Sequence, residues 1–134
     1  MATSTRSDKA GLPPGTLMHI GEAKKHKPKI SILDYDPTQF VEKIAKNVEE
    51  CFPFRRKKTV TWINIDGIHD SKIIGDLGEH FGFHSLLLED IMNTEQRPKI
   101  DDFEDHIFII LKMLNYSKRE VVTEQISIII GKNF

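Results

Sequence analysis

The segment Val60–Met92, VTWINIDGIHDSKIIGDLGEHFGFHSLLLEDIM, decides the fold. Val60 to Ile65 is rich in β-branched and aromatic residues and predicts a strand. Asp66-Gly67 turns the chain. Asp70 is placed to cap a helix whose apolar face is Ile73, Ile74, Leu77 and Phe81, and Gly82 is a natural stop for it. A third helical run, short, is expected from about His84 to about Met92.

Working outward, the character of the chain changes after Pro98. Ile100–Phe103 and His106–Asn115 read as strands, Ser117–Glu120 as a polar turn, and Val121–Ile130 as a further strand. The last two strands pair naturally as an antiparallel hairpin. Upstream of Val60, Arg55–Lys58 is a basic loop. The stretch from Asp36 predicts a helix: Asp36 caps, Pro37 takes the first helical position, and Gln39 sits three residues after the cap. Phe40, Val41, Ile44, Ala45, Val48 and Cys51 then fall on one stripe, with Pro53 stopping the helix. Ile30–Leu33 is a short strand candidate. Lys24–Lys29 reads as a loop, Leu12-Pro13-Pro14-Gly15 as a stiff irregular lead-in, and residues 1–11 as a disordered polar tail. Strand, helix, strand, helix, helix and then strands make an α/β fold, a mixed sheet covered by helices.

The bulk properties fit one domain. The chain has 134 residues, 39% of them hydrophobic, and a formal net charge of −1. Near-balanced charge argues against a dedicated nucleic-acid binder. Cys51 is the single cysteine, so no internal disulfide can form. The first eleven residues lack the apolar centre of a signal peptide. The longest uninterrupted apolar run is five residues, Ile107–Leu111, against about 20 needed to cross a bilayer. No glycine-rich phosphate loop or serine elbow is present.

The helix around Leu86 carries the chemistry. At about 100° per residue from Leu86, the residues Leu87, Leu88, Ile91 and Met92 fall between about 100° and 240° and form a buried face. Glu89 falls near roughly 300° and Asp90 near roughly 40°. Two carboxylates therefore straddle an outward leucine, which is out of place in open solvent and natural at an interface. Carboxylates suit Mg2+, which keeps several waters and needs only one or two such ligands. Spacing alone is equally met by the solvated face of an amphipathic helix, where adjacent acids are common. His80 and His84, with Glu79 and Glu89 near them, invite a zinc reading. Gly82 interrupts the helix between the two histidines, which instead read as surface or capping residues. His69-Asp70 has no partnered nucleophile. Cys51 and Trp62 are expected in the core, and the basic clusters are expected to be solvated loops.

Seven blocks extend the reading: LPPGT (Leu12–Thr16), PFR (Pro53–Arg55), TWINIDGIHD (Thr61–Asp70), GEHFGFH (Gly78–His84), LLLEDIMNTEQRPK (Leu86–Lys99), FIILKML (Phe108–Leu114) and EQISIIIGKNF (Glu124–Phe134). In order, over nearly the whole chain, they resemble the cytosolic N-terminal domain of CorA-type magnesium/cobalt transporters. The resemblance implies an αβα sandwich spanning residues 12–134, a regulatory domain cut short of its full extent. It implies a homopentameric parent in the cell membrane, with this domain on the cytoplasmic side, and no enzymatic activity. It also implies regulatory Mg2+, or Co2+, bound between neighbouring protomers, with Asp90 as principal ligand, Glu89 beside it, and no organic cofactor or nucleic acid. The family's Gly-Met-Asn motif is absent, since Met92-Asn93 follows Ile91 on a soluble helix. The stalk and both membrane helices are missing, so this chain alone is expected to sense metal and not to transport it. Two rivals remain. One is a metal-dependent hydrolase built on Glu89, Asp90 and the histidines, which needs a third fixed ligand. The other is an interaction module using the basic loops.

Overall fold

A computed structural model describes residues 3–134; Met1 and Ala2, the start of the expected tail, lie outside the described residues. The strands are β1 (Thr3–Ser4), β2 (Gly21–Glu22), β3 (Lys29–Tyr35), β4 (Phe40–Ala45), β5 (Val60–Asp66), β6 (Lys99–Asp102), β7 (Ile107–Ser117) and β8 (Glu120–Ile130). The α-helices are α1 (Ser71–Phe81) and α2 (Ser85–Met92), and Val48–Arg56 forms a 3₁₀ helix. The fold is α/β, as the element pattern predicts. β3 lies between β4 and β5, β7 lies between β6 and β8, and these ladders are antiparallel. The N–H of Thr61 on β5 donates to the carbonyl of Asn133, just past β8 (2.8 Å).

The segment 60–92 folds as its sequence reads. Asp70 caps α1, accepting from the Lys72 N–H, and Gly82 ends it in the left-handed conformation at φ 77°. His84 caps α2 by accepting the Leu86 N–H on Nδ1 (3.2 Å). Where α1 crosses α2, a side chain on Gly78 would meet Leu88 Cδ1 at 2.2 Å, so this glycine lets the second helix sit close. The β7–β8 hairpin closes through Lys118 and Arg119, both at positive φ (51° and 67°), at the expected polar turn.

The helix expected from Asp36 to Cys51 is corrected. Asp36 is bonded within a turn: its Oδ1 accepts the N–H groups of Thr38 (2.7 Å) and Gln39 (3.0 Å), and Oδ2 accepts from Gln39 Nε2 (2.9 Å). The Asp-Pro signature serves a tight turn as well as a helix start. Here it joins β3 to β4, from Tyr35 opposite Phe40 to Ile30 opposite Ala45. Pro53 lies inside the 3₁₀ helix and not beyond a longer one. Cys51 is buried as expected, and burial pushes its thiol up to about 11.

Trp62 is also corrected: it is 65% exposed. Strand alternation turns Thr61, Ile63 and Ile65 toward the helices and Trp62 away from them, opposite Leu33. Phe40, 62% exposed, and Ile44 share that outward face, where Tyr35 and Val60 are also exposed. The outward residues of the other sheet, Ile107, Leu111, Ile128 and Ile130, are exposed too. Helices α1 and α2 therefore cover one side of the strands, and the opposite side is open. The stretch 3–11, expected as a tail, is built into the fold. β1 pairs with β2, and a Thr5–Asp8 capping box starts a 3₁₀ turn over Arg6–Lys9, with the Thr5 N–H donating to Asp8 Oδ2 (2.7 Å).

Asp34 anchors the first sheet from inside. Its carboxylate is 2% exposed and accepts the hydroxyls of Thr59 (2.6 Å) and Thr61 (2.7 Å) on Oδ1, with Lys57 Nζ at 3.2 Å from Oδ2. Burial works to raise its pKa, and the two hydroxyls with Lys57 outweigh it, leaving the carboxyl below its ordinary 3.8. A depressed carboxyl contributes stability that is present above the unfolded value and lost as pH falls through the folded one. Asp34→Ala should cost about 2–3 kcal/mol in urea unfolding at pH 7, because it leaves the buried hydroxyls of Thr59 and Thr61 without their acceptor. Asp34→Asn should shallow the loss of stability that the parent chain shows below about pH 4.

Candidate functional site

Helix α2 sorts its residues as the angular reading requires. Leu87, Leu88, Ile91 and Met92 are buried against Phe108 and Ile110, so Leu86, Glu89 and Asp90 must face outward. Leu86 is 49% exposed. The end of α2 is pinned from two directions. The Ile20 N–H donates to the Met92 carbonyl (2.9 Å), and Gln125 Nε2 donates to the Asn93 carbonyl (2.9 Å). The carboxylates therefore project from a fixed base.

Each acid is already engaged by a cation of the protein. Glu89 pairs with Lys9 Nζ through Oε1 (2.7 Å) and accepts the Gly15 N–H on Oε2 (2.6 Å). The Lys9 bond and the Gly15 N–H lower its pKa below 4.5, against the opposing effect of burial. Asp90 accepts from Gln96 Nε2 on Oδ1 (2.7 Å) and pairs with Lys99 Nζ through Oδ2 (2.7 Å). Lys99 is shared, reaching Asp101 at 2.6 Å. Burial works to lower the Lys99 pKa, and the bonds to Asp101 and Asp90 more than offset it, so the ammonium stays charged. Both acids are 26% exposed at the side chain.

The structure thus brings Glu89 and Asp90 to one rim with Leu86 but gives each a separate set of partners. Among the described residues no group of three or more His, Cys, Asp or Glu side chains lies close enough together to hold a metal. The histidines do not join the acids. His80 stacks on Phe52 with ring centroids 4.1 Å apart, and His84 is the cap of α2. The third ligand that a hydrolase reading needs is not found among the described residues. The basic loops are partly consumed by the fold: Lys24 pairs with Asp66 and Glu124 (2.6 Å each), Arg55 donates to the His80 carbonyl, and Lys57 holds Asp34. Lys9, Gly15, Gln96 and Lys99 are the partners that sequence reasoning missed. Lys9 and Gly15 come from the other end of the chain, and no local spacing ties them to α2.

Residues 57–134 match the family model described as CorA-like Mg2+ transporter protein. The chain is 46% identical over 129 residues to the cobalt/magnesium transport protein CorA of Thermotoga maritima, covering 95% of this chain and 36% of that protein. It is 33% identical over 73 residues to the putative metal ion transporter YfjQ of Bacillus subtilis, covering 54% of this chain and 22% of that protein. The chain thus spans about a third or less of the length of these curated relatives.

The Glu89 pairing has a measurable signature. Its lowered carboxyl contributes stability above its unfolded value, lost as pH falls through the folded one. Glu89→Gln should cost about 1 kcal/mol at pH 7, the scale of a partly exposed charge-assisted pair. In urea titrations the gap between the two proteins should narrow as pH falls below the ordinary glutamate range and through the lowered folded value.

Proposed function

We propose, from the premise that the chain belongs to the CorA-like Mg2+ transporter protein family, that it is the regulatory part of a divalent-cation transporter. In this reading regulatory Mg2+ lies between neighbouring protomers of a homopentamer, on the cytoplasmic side of the membrane. Asp90 is the principal ligand of this chain and Glu89 its neighbour. The family is one of transporters and not of enzymes. The observation that carries the reading is the rim of α2: two partly exposed carboxylates, each paired with a lysine, on either side of an exposed Leu86.

The donor set fits the ion in part. Mg2+ takes hard oxygen ligands, retains several waters and needs one or two carboxylates. Among the described residues no three His, Cys, Asp or Glu side chains are grouped to hold a metal, and in this reading the remaining ligands come from a second chain or from water. Acids facing acids across an interface repel by roughly 4 kcal/mol per pair at about 4 Å and an effective dielectric of about 20. A divalent ion between them would supply the neutralising charge and so favour the closed assembly. This chain's own task is to hold Glu89 and Asp90 fixed at the rim. With the site empty, repulsion separates the protomers and the pore opens, which couples cation level to transport through two global states.

Calorimetry with MgCl2 tests the split site directly. The 134-residue chain should bind Mg2+ with a Kd of about a millimolar or weaker, and Asp90→Asn should abolish that binding. Micromolar, carboxylate-dependent binding to the single chain would sink the idea that two protomers are required. In the full-length transporter reconstituted in vesicles, Asp90→Asn should leave cation flux insensitive to Mg2+ on the side bearing this domain.

A further inference from the structure

The contact that holds Glu89 comes from an unusual place. The segment Thr5–Gly15 leaves β1, crosses the exposed side of α2 and returns to β2 as a strap. Its helical turn, Arg6–Lys9, buries no residue. It is held by polar contacts: Lys9 and the Gly15 N–H on Glu89, and Arg6 on the side chain (3.3 Å) and carbonyl (2.9 Å) of Glu95. The ladder that closes it, β1 on β2, is two residues long. A cleft of about 370 Å3 separates the strap from α2, lined among others by Lys9, Leu12, Pro13, Leu86 and Glu89.

The ends of the stiff Leu12-Pro13-Pro14 run are glycines with distinct tasks. Gly11 sits at φ 87° with open space around it, a conformation that suits a swivel. Gly15 approaches so closely that a side chain there would meet Ser85 Oγ at 2.8 Å, which brings its N–H onto Glu89. Beyond it Leu17 packs on the core and Ile20 is buried, so the strap has a fixed base.

We propose that this strap is a tethered competitor for the α2 site, with the Lys9 ammonium occupying Glu89 in the place a divalent cation would take. A cation at Glu89 displaces Lys9 and frees the strap, and a docked strap weakens cation binding by the same factor. The inference rests on the reading that the acids of α2 take Mg2+. It assigns the LPPGT block and Lys9 a role in setting the cation concentration at which the site fills.

Limited trypsin digestion reads the strap at the Arg6–Ser7 bond, and amide NMR of α2 reads the metal. MgCl2 should speed cleavage after Arg6 by about threefold or more over NaCl of matched ionic strength, the control for simple screening. Lys9→Gln should cleave at the fast rate without Mg2+ and bind Mg2+ about three- to tenfold more tightly. Lys9→Arg, which keeps the cation, should restore slow cleavage and weak binding. Mg2+-induced shifts at Glu89 and Asp90 with the same Kd in the parent and Lys9→Gln chains, and no change in cleavage, would overturn the strap while leaving the metal reading in place. Absence of any Mg2+ shift on α2 in both chains would overturn the two together.

Discussion

A sheet can bury its apolar face only against another layer, and α1 supplies that layer for both three-stranded sheets. Leu77 and Phe81 of this helix enter the core under β3, β4 and β5, whereas Ile74 enters the core under β7. Ile65 and Phe83 pack against both cores. One amphipathic helix thus serves two apolar surfaces. Gly78 admits Leu88 at close range, and in that position α2 presents Leu87, Leu88, Ile91 and Met92 to Phe108 and Ile110. The outward direction of Glu89 and Asp90 is therefore a consequence of core packing, set before any metal or partner is considered.

How much of this was legible in the sequence depended on whether competing periodicities could be told apart. Segment 60–92 was readable because its caps and stops, Asp70, Gly82 and His84, agree with its apolar spacing. Asp36–Cys51 was not, because Phe40, Val41 and Ile44 satisfy a helical stripe while Phe40 and Ile44 also share one face of a strand. Tertiary structure decided it: β3 is a central strand and needs partners on both edges, and the Asp36 turn supplies one of them. Trp62 was misplaced for a related reason. Alternation shows that a strand has two faces but not which face meets the helices. The side opposite α1 is open here, so an aromatic residue on it stays in solvent.

The candidate site was legible in its residues and not in its state. Angular placement alone put Glu89 and Asp90 on the exposed side of α2 with Leu86 between them. Their counter-ions were invisible to it. Lys9 reaches Glu89 from near the start of the chain, and Lys99 reaches Asp90 from the first residue of β6. Long-range ion pairs of this kind have no sequence period, since a lysine stem can cover several ångströms in any direction.

The two lysines are not equivalent, and their difference orders the acids. Lys99 is built into β6, lies over the Phe108 ring at 5.6 Å and is divided between Asp90 and Asp101. One positive charge against two carboxylates leaves that group with a net charge of −1 while the protein's own pairing is intact. Lys9 faces Glu89 alone among the carboxylates and cancels it. Under the proposed reading, a divalent cation approaching the rim would meet surplus negative charge at Asp90 whether or not the strap is docked, and at Glu89 only once Lys9 had left. Coulombic attraction at an effective dielectric of about 20 would amount to several kcal/mol at contact distance, which under that reading favours Asp90 before Glu89. Under the proposed reading, Asp90 would be the acid that recruits the ion, and Glu89 the acid whose availability is regulated.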